Sequence, residues 1–388
     1  MKGRVAFHCW RPFQLFTIIN LVMQDRLCEG RVCDLYIQCN DYLYKYKDNI
    51  ESSGLFEKVV WYKEHDCANP WLRVEVRINN IFPLCELKSG VVKKNDYRHT
   101  KNTKYSYIFS SGWNPFFVAF DLVHKEAKCI HFEDGIAGYL NINYESRVLK
   151  KKDKIEHNML KLIGRGVYSV KIAAFLVYEP KFVNKEIHLA YKGRKIPKLT
   201  AEVFDKEIEV FTDGDGKRGK TNLKGKTIFL TPIPFKNKEN INSPEKDPIV
   251  KLLVKYKEGM VVRRHPTDIH VDYGKLGIIP EPRNEYIWEI AVGDGIDSRT
   301  VIIAEFSSGQ LTPYLLYKKY PTLVFLYRYT QAADKRSVER LDEFVNKMKK
   351  VYKGEIYLPE TFEEVDEVIG KFSKRKACQK IATLFTKE

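Results

Sequence analysis

Ala127-Lys128-Cys129-Ile130-His131-Phe132-Glu133-Asp134-Gly135 is the stretch on which the fold turns. Its apolar run is short and lacks polar alternation, which reads as a strand buried on both faces. Two carboxylates follow it, and then a glycine, the usual residue of a tight turn. Acidic side chains at the carboxyl end of a strand in an α/β protein stand where ligands collect. Gly135-Ile136-Ala137-Gly138-Tyr139 continues the turn.

The same grammar recurs on both sides of this stretch. Upstream, Arg4 to Cys9, Cys33 to Cys39, Lys58 to Tyr62 and Tyr105 to Phe109 read as strands. Helices are expected over Pro12 to Met23, begun by proline, and over Phe116 to His124. Downstream the rhythm fades: Lys161 to Leu176 reads as a helix and Lys181 to Val210 is less regular. The polar, glycine-rich run Thr212 to Gly219 is a linker. A second series then begins, with strands over Thr227 to Leu230, Met260 to Arg263, Thr300 to Glu305 and Thr322 to Tyr327. Its helices are expected over Ile249 to Tyr256, Glu285 to Ala291, from about Leu311, Arg336 to Tyr352 and Phe362 to Ser373. The fold class is therefore α/β, with one domain over residues 1–215 and another over 222–388.

The 388 residues suit two domains, and an apolar fraction of 44% is enough to form their cores. No uncharged apolar run is long enough for a membrane-spanning helix, and no signal-peptide pattern opens the chain. Eight cysteines include no C-x-x-C pair, which argues against zinc and for a reducing cytoplasm. The formal charge of +16 favours anionic partners. Its lysines are spread along the chain without a compact arginine-rich patch, which argues against nucleic acid.

Three short motifs carry candidate chemistry. Glu133 and Asp134 point in opposite directions on an extended segment, so one of them can act as a general base while the other is held by the turn. Alone, Glu-Asp-Gly is more often an ordinary acidic turn or helix cap. Arg263-Arg264-His265-Pro266 places a histidine in a cationic neighbourhood suited to a phosphate; its plainer reading is a surface turn. Ser307-Ser308-Gly309 offers hydroxyls and amides at a helix start, an anion site or an ordinary N-cap. Asp213-Gly214-Asp215 has the form of a metal-holding triplet but lies in the linker, as does no other part of the site, and is read as a turn. Asp294 to Asp297 is treated the same way.

In order and spacing these motifs resemble those of the bacterial sialyltransferases: an acidic pair with glycine, a His-Pro and a paired serine. Cys9-Trp10-Arg11-Pro12-Phe13-Gln14-Leu15 is similar to the opening of glycosyltransferase family 52, and Phe229-Leu230-Thr231-Pro232 is a further match. The capsule polysialyltransferases share the acidic and His-Pro motifs. The resemblance spans Val5 to about Thr330. It implies a GT-B-type architecture, two Rossmann-like domains facing across a cleft.

The resemblance further implies inverting, metal-independent transfer of sialic acid from CMP-sialic acid to a terminal galactoside of a bacterial surface glycan, lipooligosaccharide or capsule. Glu133 would be the base, with Asp134 second, and His265 would stabilise the departing phosphate. Thr231, Pro232, Arg263, His265, Pro266, Ser307 and Ser308 would bind the donor. Gly135, Pro12, Gln14 and Asn114 would lie on the acceptor side. No cofactor beyond the donor and no metal is implied. A capsule polysialyltransferase, or an enzyme using another CMP- or UDP-sugar on the same fold, is the alternative within this class. A basic α/β protein that binds anionic polymers without catalysis is the alternative outside it. The basic tail from Lys371 to Lys387 suits peripheral contact with the inner face of a membrane, or packing back on the protein; a homodimer is compatible with this class.

Overall fold

The computed structural model describes residues 3–63, 99–112, 115–124, 126–140, 172–183, 194–212, 222–231, 248–265, 272–278, 286–330 and 335–372. The chain divides into two compact units, Met1–Gly216 and Lys217–Glu388.

The first unit is built on a parallel sheet of β1 (Arg4–Cys9), β2 (Val32–Gln38), β3 (Lys58–Tyr62), β4 (Tyr105–Ser110), β5 (Lys128–Phe132), β6 (Ile172–Val177) and β7 (Arg194–Lys195). Its order is β3-β2-β1-β4-β5-β6-β7, the doubly wound order that reverses between β1 and β4. Helix α1 (Pro12–Gln24) links β1 to β2, and α2 (Pro115–Val123) links β4 to β5. Because such crossovers are right-handed, the reversal puts α1 and α2 on opposite faces. Phe116, Phe117 and Phe120 of α2 pack with Ala6, Tyr36, Val60 and Tyr62. Alternation then sends Val5, Phe7 and Cys9 of β1 to the other face, where all three are buried. Helix α3 (Ala201–Phe211) packs on α1.

The second unit carries β8 (Thr227–Leu230), β9 (Met260–Arg263), β10 (Val301–Ala304), β11 (Thr322–Phe325) and β12 (Ile356–Tyr357), all parallel, in the order β12-β11-β10-β8-β9. Numbered within the unit this is 2-1-3-4-5, the other common doubly wound order, with its switch point between β8 and β10. Helices α4 (Pro248–Lys255), α5 (Trp288–Gly295), α6 (Ser308–Tyr317) and α7 (Lys335–Lys349) accompany it. Phe229, Val262, Ile303 and Val324 from four strands share a core with Leu252 and Leu253 of α4 and with Val365 and Ile369 of a helix over 362–372. Burying each such side chain contributes about 1.5–3 kcal/mol.

The expected α/β class with two Rossmann-like units is what the structure has. Some elements depart from the sequence reading. Ile172–Val177 is a strand rather than the end of a helix: a continuous apolar run does not reveal its own period. Residues 161–171 of that expected helix lie outside the described residues. Helix α3 fills part of the stretch read as less regular. Its inward row is Val203, Glu207, Val210 and Phe211, and the buried Glu207 breaks the apolar stripe. Helix α5 starts at Trp288, three residues later than expected, and α6 starts at Ser308, three earlier. The linker residues 213–221 and the tail 373–388 lie outside the described residues. Among the described residues no helix is long and apolar enough to cross a membrane.

Candidate functional site

The carboxyl ends of β1, β4 and β5 are neighbours in the first sheet, and the acidic pair stands on the last of them. Glu133 is wholly enclosed. Its Oε2 accepts the Tyr139 hydroxyl and, at 2.9 Å, the Tyr178 backbone N–H. Burial and the adjacent carboxylate push the Tyr139 phenol well above its usual pKa, so it remains a donor. Gly135 adopts φ +68°, a conformation that favours glycine, and lets the chain turn into the short helix Gly135–Gly138 that carries Tyr139 back over Glu133. Glu133 therefore ties the β5 loop to the β6 loop.

Asp134 points the other way and its side chain is 22% exposed. Arg11 Nη1 lies 3.7 Å from its Oδ2. Burial raises the Asp134 pKa above the usual carboxylate value, while Arg11 and the Gln14 carboxamide act in the opposite sense. A carboxylate so placed is a proton acceptor open to a ligand.

Beside it, the Pro12 start of α1 brings Gln14 under the β1 end, where Gln14 Oε1 accepts the Trp10 N–H at 2.8 Å. Asn40 Nδ2 donates to the Trp10 carbonyl at 3.0 Å. Under the β4 turn lies His8, completely buried. Its Nε2 is 2.6 Å from the Tyr62 hydroxyl and its Nδ1 is 3.2 Å from Ser110 Oγ. Ser110 Oγ donates to the Gly112 carbonyl at 2.9 Å. That direction makes Nδ1 the donor and Nε2 the acceptor from Tyr62, a neutral imidazole. Burial agrees, pushing the His8 pKa down to about 3.

In the second unit the ends of β10, β8 and β9 are adjacent, and Ser307, Thr231 and His265 follow them in turn. Thr231 Oγ1 accepts the His265 backbone N–H at 2.7 Å, joining two of these ends. Arg263 is buried, its guanidinium 5.1 Å from the centre of the Trp288 ring, and it donates to the Tyr286 carbonyl. Burial raises the pKa of the neighbouring Glu289, and Arg263 partly counters that. Trp288 Nε1 donates to the Gly309 carbonyl at 2.7 Å. A Cβ on Gly309 would stand 2.9 Å from Leu230 Cδ1 and 3.2 Å from that indole nitrogen, so a larger residue would have to push the Leu230 side chain aside.

The two serines differ. Ser307 is the N-cap of α6: its hydroxyl accepts the Gly309 N–H at 3.2 Å, and Gln310 Oε1 accepts the Ser307 N–H at 3.1 Å, a reciprocal capping box. Ser308 is exposed at the first turn, where backbone N–H groups favour an anion. Asn114, Pro232 and Pro266, with Asp213 and Asp215, lie outside the described residues. Sequence reasoning named Gln14 and Arg263 but gave no role to Trp10 and Arg11, and did not foresee the Arg263–Trp288 stack. Only their positions immediately after, or packed against, strand ends would have flagged them.

No protein-family model matches the sequence, and no curated protein does. Among solved structures, the chain is similar to UDP-GlcNAc 2-epimerase from Methanocaldococcus jannaschii, at 11% identity and a TM-score of 0.49, over 96% of this chain and 92% of that one. It is also similar to UDP-GlcNAc 2-epimerase from Neisseria meningitidis bound to UDP-GlcNAc, at 11% identity and a TM-score of 0.47, over 96% and 91%. A third is Arabidopsis thaliana UGT89C1 complexed with UDP-L-rhamnose, at 10% identity and a TM-score of 0.49, over 96% and 90%.

Proposed function

We propose that the protein is a nucleotide-sugar-dependent glycosyltransferase of GT-B type, and within that class an inverting sialyltransferase that uses CMP-sialic acid. The observation that carries the reading is the Thr231–His265 hydrogen bond, beside Ser307, across three adjacent strand ends of the second unit. Those are the residues that the motif resemblance assigns to the donor.

In this reading Asp134, rather than the enclosed Glu133, removes the proton from the acceptor hydroxyl as that oxygen attacks the anomeric carbon. The bond to the phosphate oxygen breaks, and the leaving nucleotide takes its electron pair. His265 and the N–H groups at the start of α6, with the Ser308 hydroxyl, receive the charge that develops there, and Arg263 adds its field. Fixed donors of this kind are typically the largest single contribution to such a reaction. The reading also implies a cytoplasmic protein, working at the inner face of the membrane on a surface-glycan precursor.

A donor panel tests it. Purified protein is given CMP-sialic acid or a set of UDP-sugars, with galactoside acceptors, with and without EDTA. Expected is acceptor-dependent release of CMP that EDTA leaves intact. Turnover of UDP-sugars but not of CMP-sialic acid would overturn the donor assignment, and loss of activity in EDTA would return Asp213 and Asp215 to the site.

A further inference from the structure

The turn between α1 and β2 brings two thiols into contact. Cys28 and Cys33 are 3% and 6% exposed, and neither is in a disulfide. The backbone of the turn explains the meeting. As the chain leaves α1, the Cys28 N–H donates to the Asp25 carbonyl at 2.8 Å. The Arg31 N–H then donates back to the Cys28 carbonyl at 2.9 Å, and Gly30, at φ +65°, supplies the left-handed residue of that reversal. On β2, Tyr36 packs against α2, so alternation turns Cys33 to the α1 face. There the side chains of Cys28 and Cys33 hydrogen-bond to each other. Cys33 Sγ donates weakly to the Arg31 carbonyl at 3.9 Å, which leaves its lone pairs to accept the Cys28 thiol.

The two sulfurs are not equivalent. The bond from Cys28 holds the Cys33 thiol below its ordinary pKa against its burial, and Arg4 acts in the same sense as the bond. That same bond, with burial and Asp25, pushes Cys28 up. Thiolate character decides which thiol reacts first. Cys9 and Cys129 differ from this pair: both are buried in strands, and burial pushes both thiols up. The cover over Cys28 and Cys33 is thin, since Arg26, Glu29, Gly30 and Val32 around them are exposed. The turn stands at the amino edge of the first sheet, at the far end of α1 from Pro12 and Gln14.

We infer that Cys28 and Cys33 form an oxidation site, a thiol pair that a hydroperoxide converts to a disulfide, with Cys33 as the attacking sulfur and Cys28 as the resolving one. The Cys33 thiolate attacks one peroxide oxygen. The S–O bond forms, the O–O bond breaks, and the departing oxygen takes the electron pair and a proton from water. The Cys28 sulfur then attacks the Cys33 sulfur. The S–S bond forms, the S–O bond breaks, and the hydroxide leaves with the Cys28 proton as water. Two thiols are oxidised by two electrons in all, and the peroxide is reduced to alcohol and water, or to water alone when it is hydrogen peroxide. A thiol-disulfide exchange reductant reverses the change.

The test treats the folded full-length protein with graded hydrogen peroxide, alkylates the remaining thiols and maps tryptic peptides by mass spectrometry. Cleavage after Arg31 parts the two cysteines, but peptide 32–45 also carries Cys39, so Cys39→Ser is the working background. Expected is a joined pair of peptides 27–31 and 32–45, lighter by two hydrogens than their sum and separated again by dithiothreitol, while Cys9 and Cys129 remain alkylatable only after unfolding. Cys28→Ser should lose the joined pair and leave Cys33 as a sulfenic acid that dimedone captures. Cys33→Ser should lose the pair and leave Cys28 reduced at the same peroxide dose. Fragment ions of the joined peptides from the wild type, which needs no substitution, should place the bond at Cys33 rather than Cys39. Failure of the pair to join in both wild type and Cys39→Ser, at doses that oxidise other cysteines, would sink the proposal. Dimedone capture at Cys28 in Cys33→Ser, with none at Cys33 in Cys28→Ser, would overturn the assignment of the attacking sulfur.

Discussion

The two sheets end in edges of opposite character. In the second unit the polar groups at the strand ends satisfy one another: Ser307 caps α6, Thr231 holds the His265 amide, and Arg263 lies between Trp288 and the Tyr286 carbonyl. What remains is a frame of mutually braced side chains around a buried arginine. In the first unit the edge keeps a partly exposed acid whose pKa burial raises, with Arg11 and Gln14 acting in the opposite sense. A preorganised frame suits a ligand that arrives charged, because fixed dipoles need not reorient. An edge with a partly exposed carboxylate suits a hydroxylated ligand, whose proton it can accept.

The strongest way to break this contrast is to exchange the roles of the two carboxylates. Asp134→Asn should reduce transfer by about 10²- to 10⁴-fold while nucleotide-sugar binding persists. Glu133→Gln should instead lower stability by about 1–3 kcal/mol, through the mismatch with Tyr139 and the Tyr178 amide, and leave the folded protein active. Steady-state kinetics beside thermal melting separates the two; loss of transfer in a stably folded Glu133→Gln, with Asp134→Asn active, would invert the assignment.

A smaller effect concerns pH. If Asp134 is the base of the proposed reaction it works only when ionised, and burial raises its pKa, so transfer should fall as pH drops through that raised value. Arg11 favours the ionised form. Arg11→Ala should therefore move the acid limb of the pH–rate profile to higher pH, and a shift to lower pH would contradict the pairing. The smallest effect probes the second unit. Ser307→Ala should lower stability by about 1 kcal/mol as a lost cap, whereas Ser308→Ala should stay within about 0.5 kcal/mol and show itself in donor KM. Chemical denaturation of both variants distinguishes the cap from the ligand-facing hydroxyl.

Much of the architecture was legible because parallel strands are continuous apolar runs, each with a punctuated end. Arg4–Cys9, Lys58–Tyr62 and Lys128–Phe132 could be read almost to the residue. Ile172–Val177 could not, since an unbroken apolar run fits either period, and α3 was hidden by a buried glutamate in its inward row. For the site, local pattern showed where the strand ends fall and that Ser307 can serve as a cap. It did not show which acid faces outward: Glu133 and Asp134 differ only in what β6 and the Gly135 turn bring against them.

The neutral His8 has one more consequence. Its chain from Tyr62 through the imidazole to Ser110 and Gly112 fixes the turn at the β4 end, and with a pKa near 3 it carries no charge at any acidity a cell experiences. The turn at the β4 end is thus blind to protons, while Asp134 at the neighbouring strand end is not. Acidity can change the charge at this edge without changing the shape of the turn beside it.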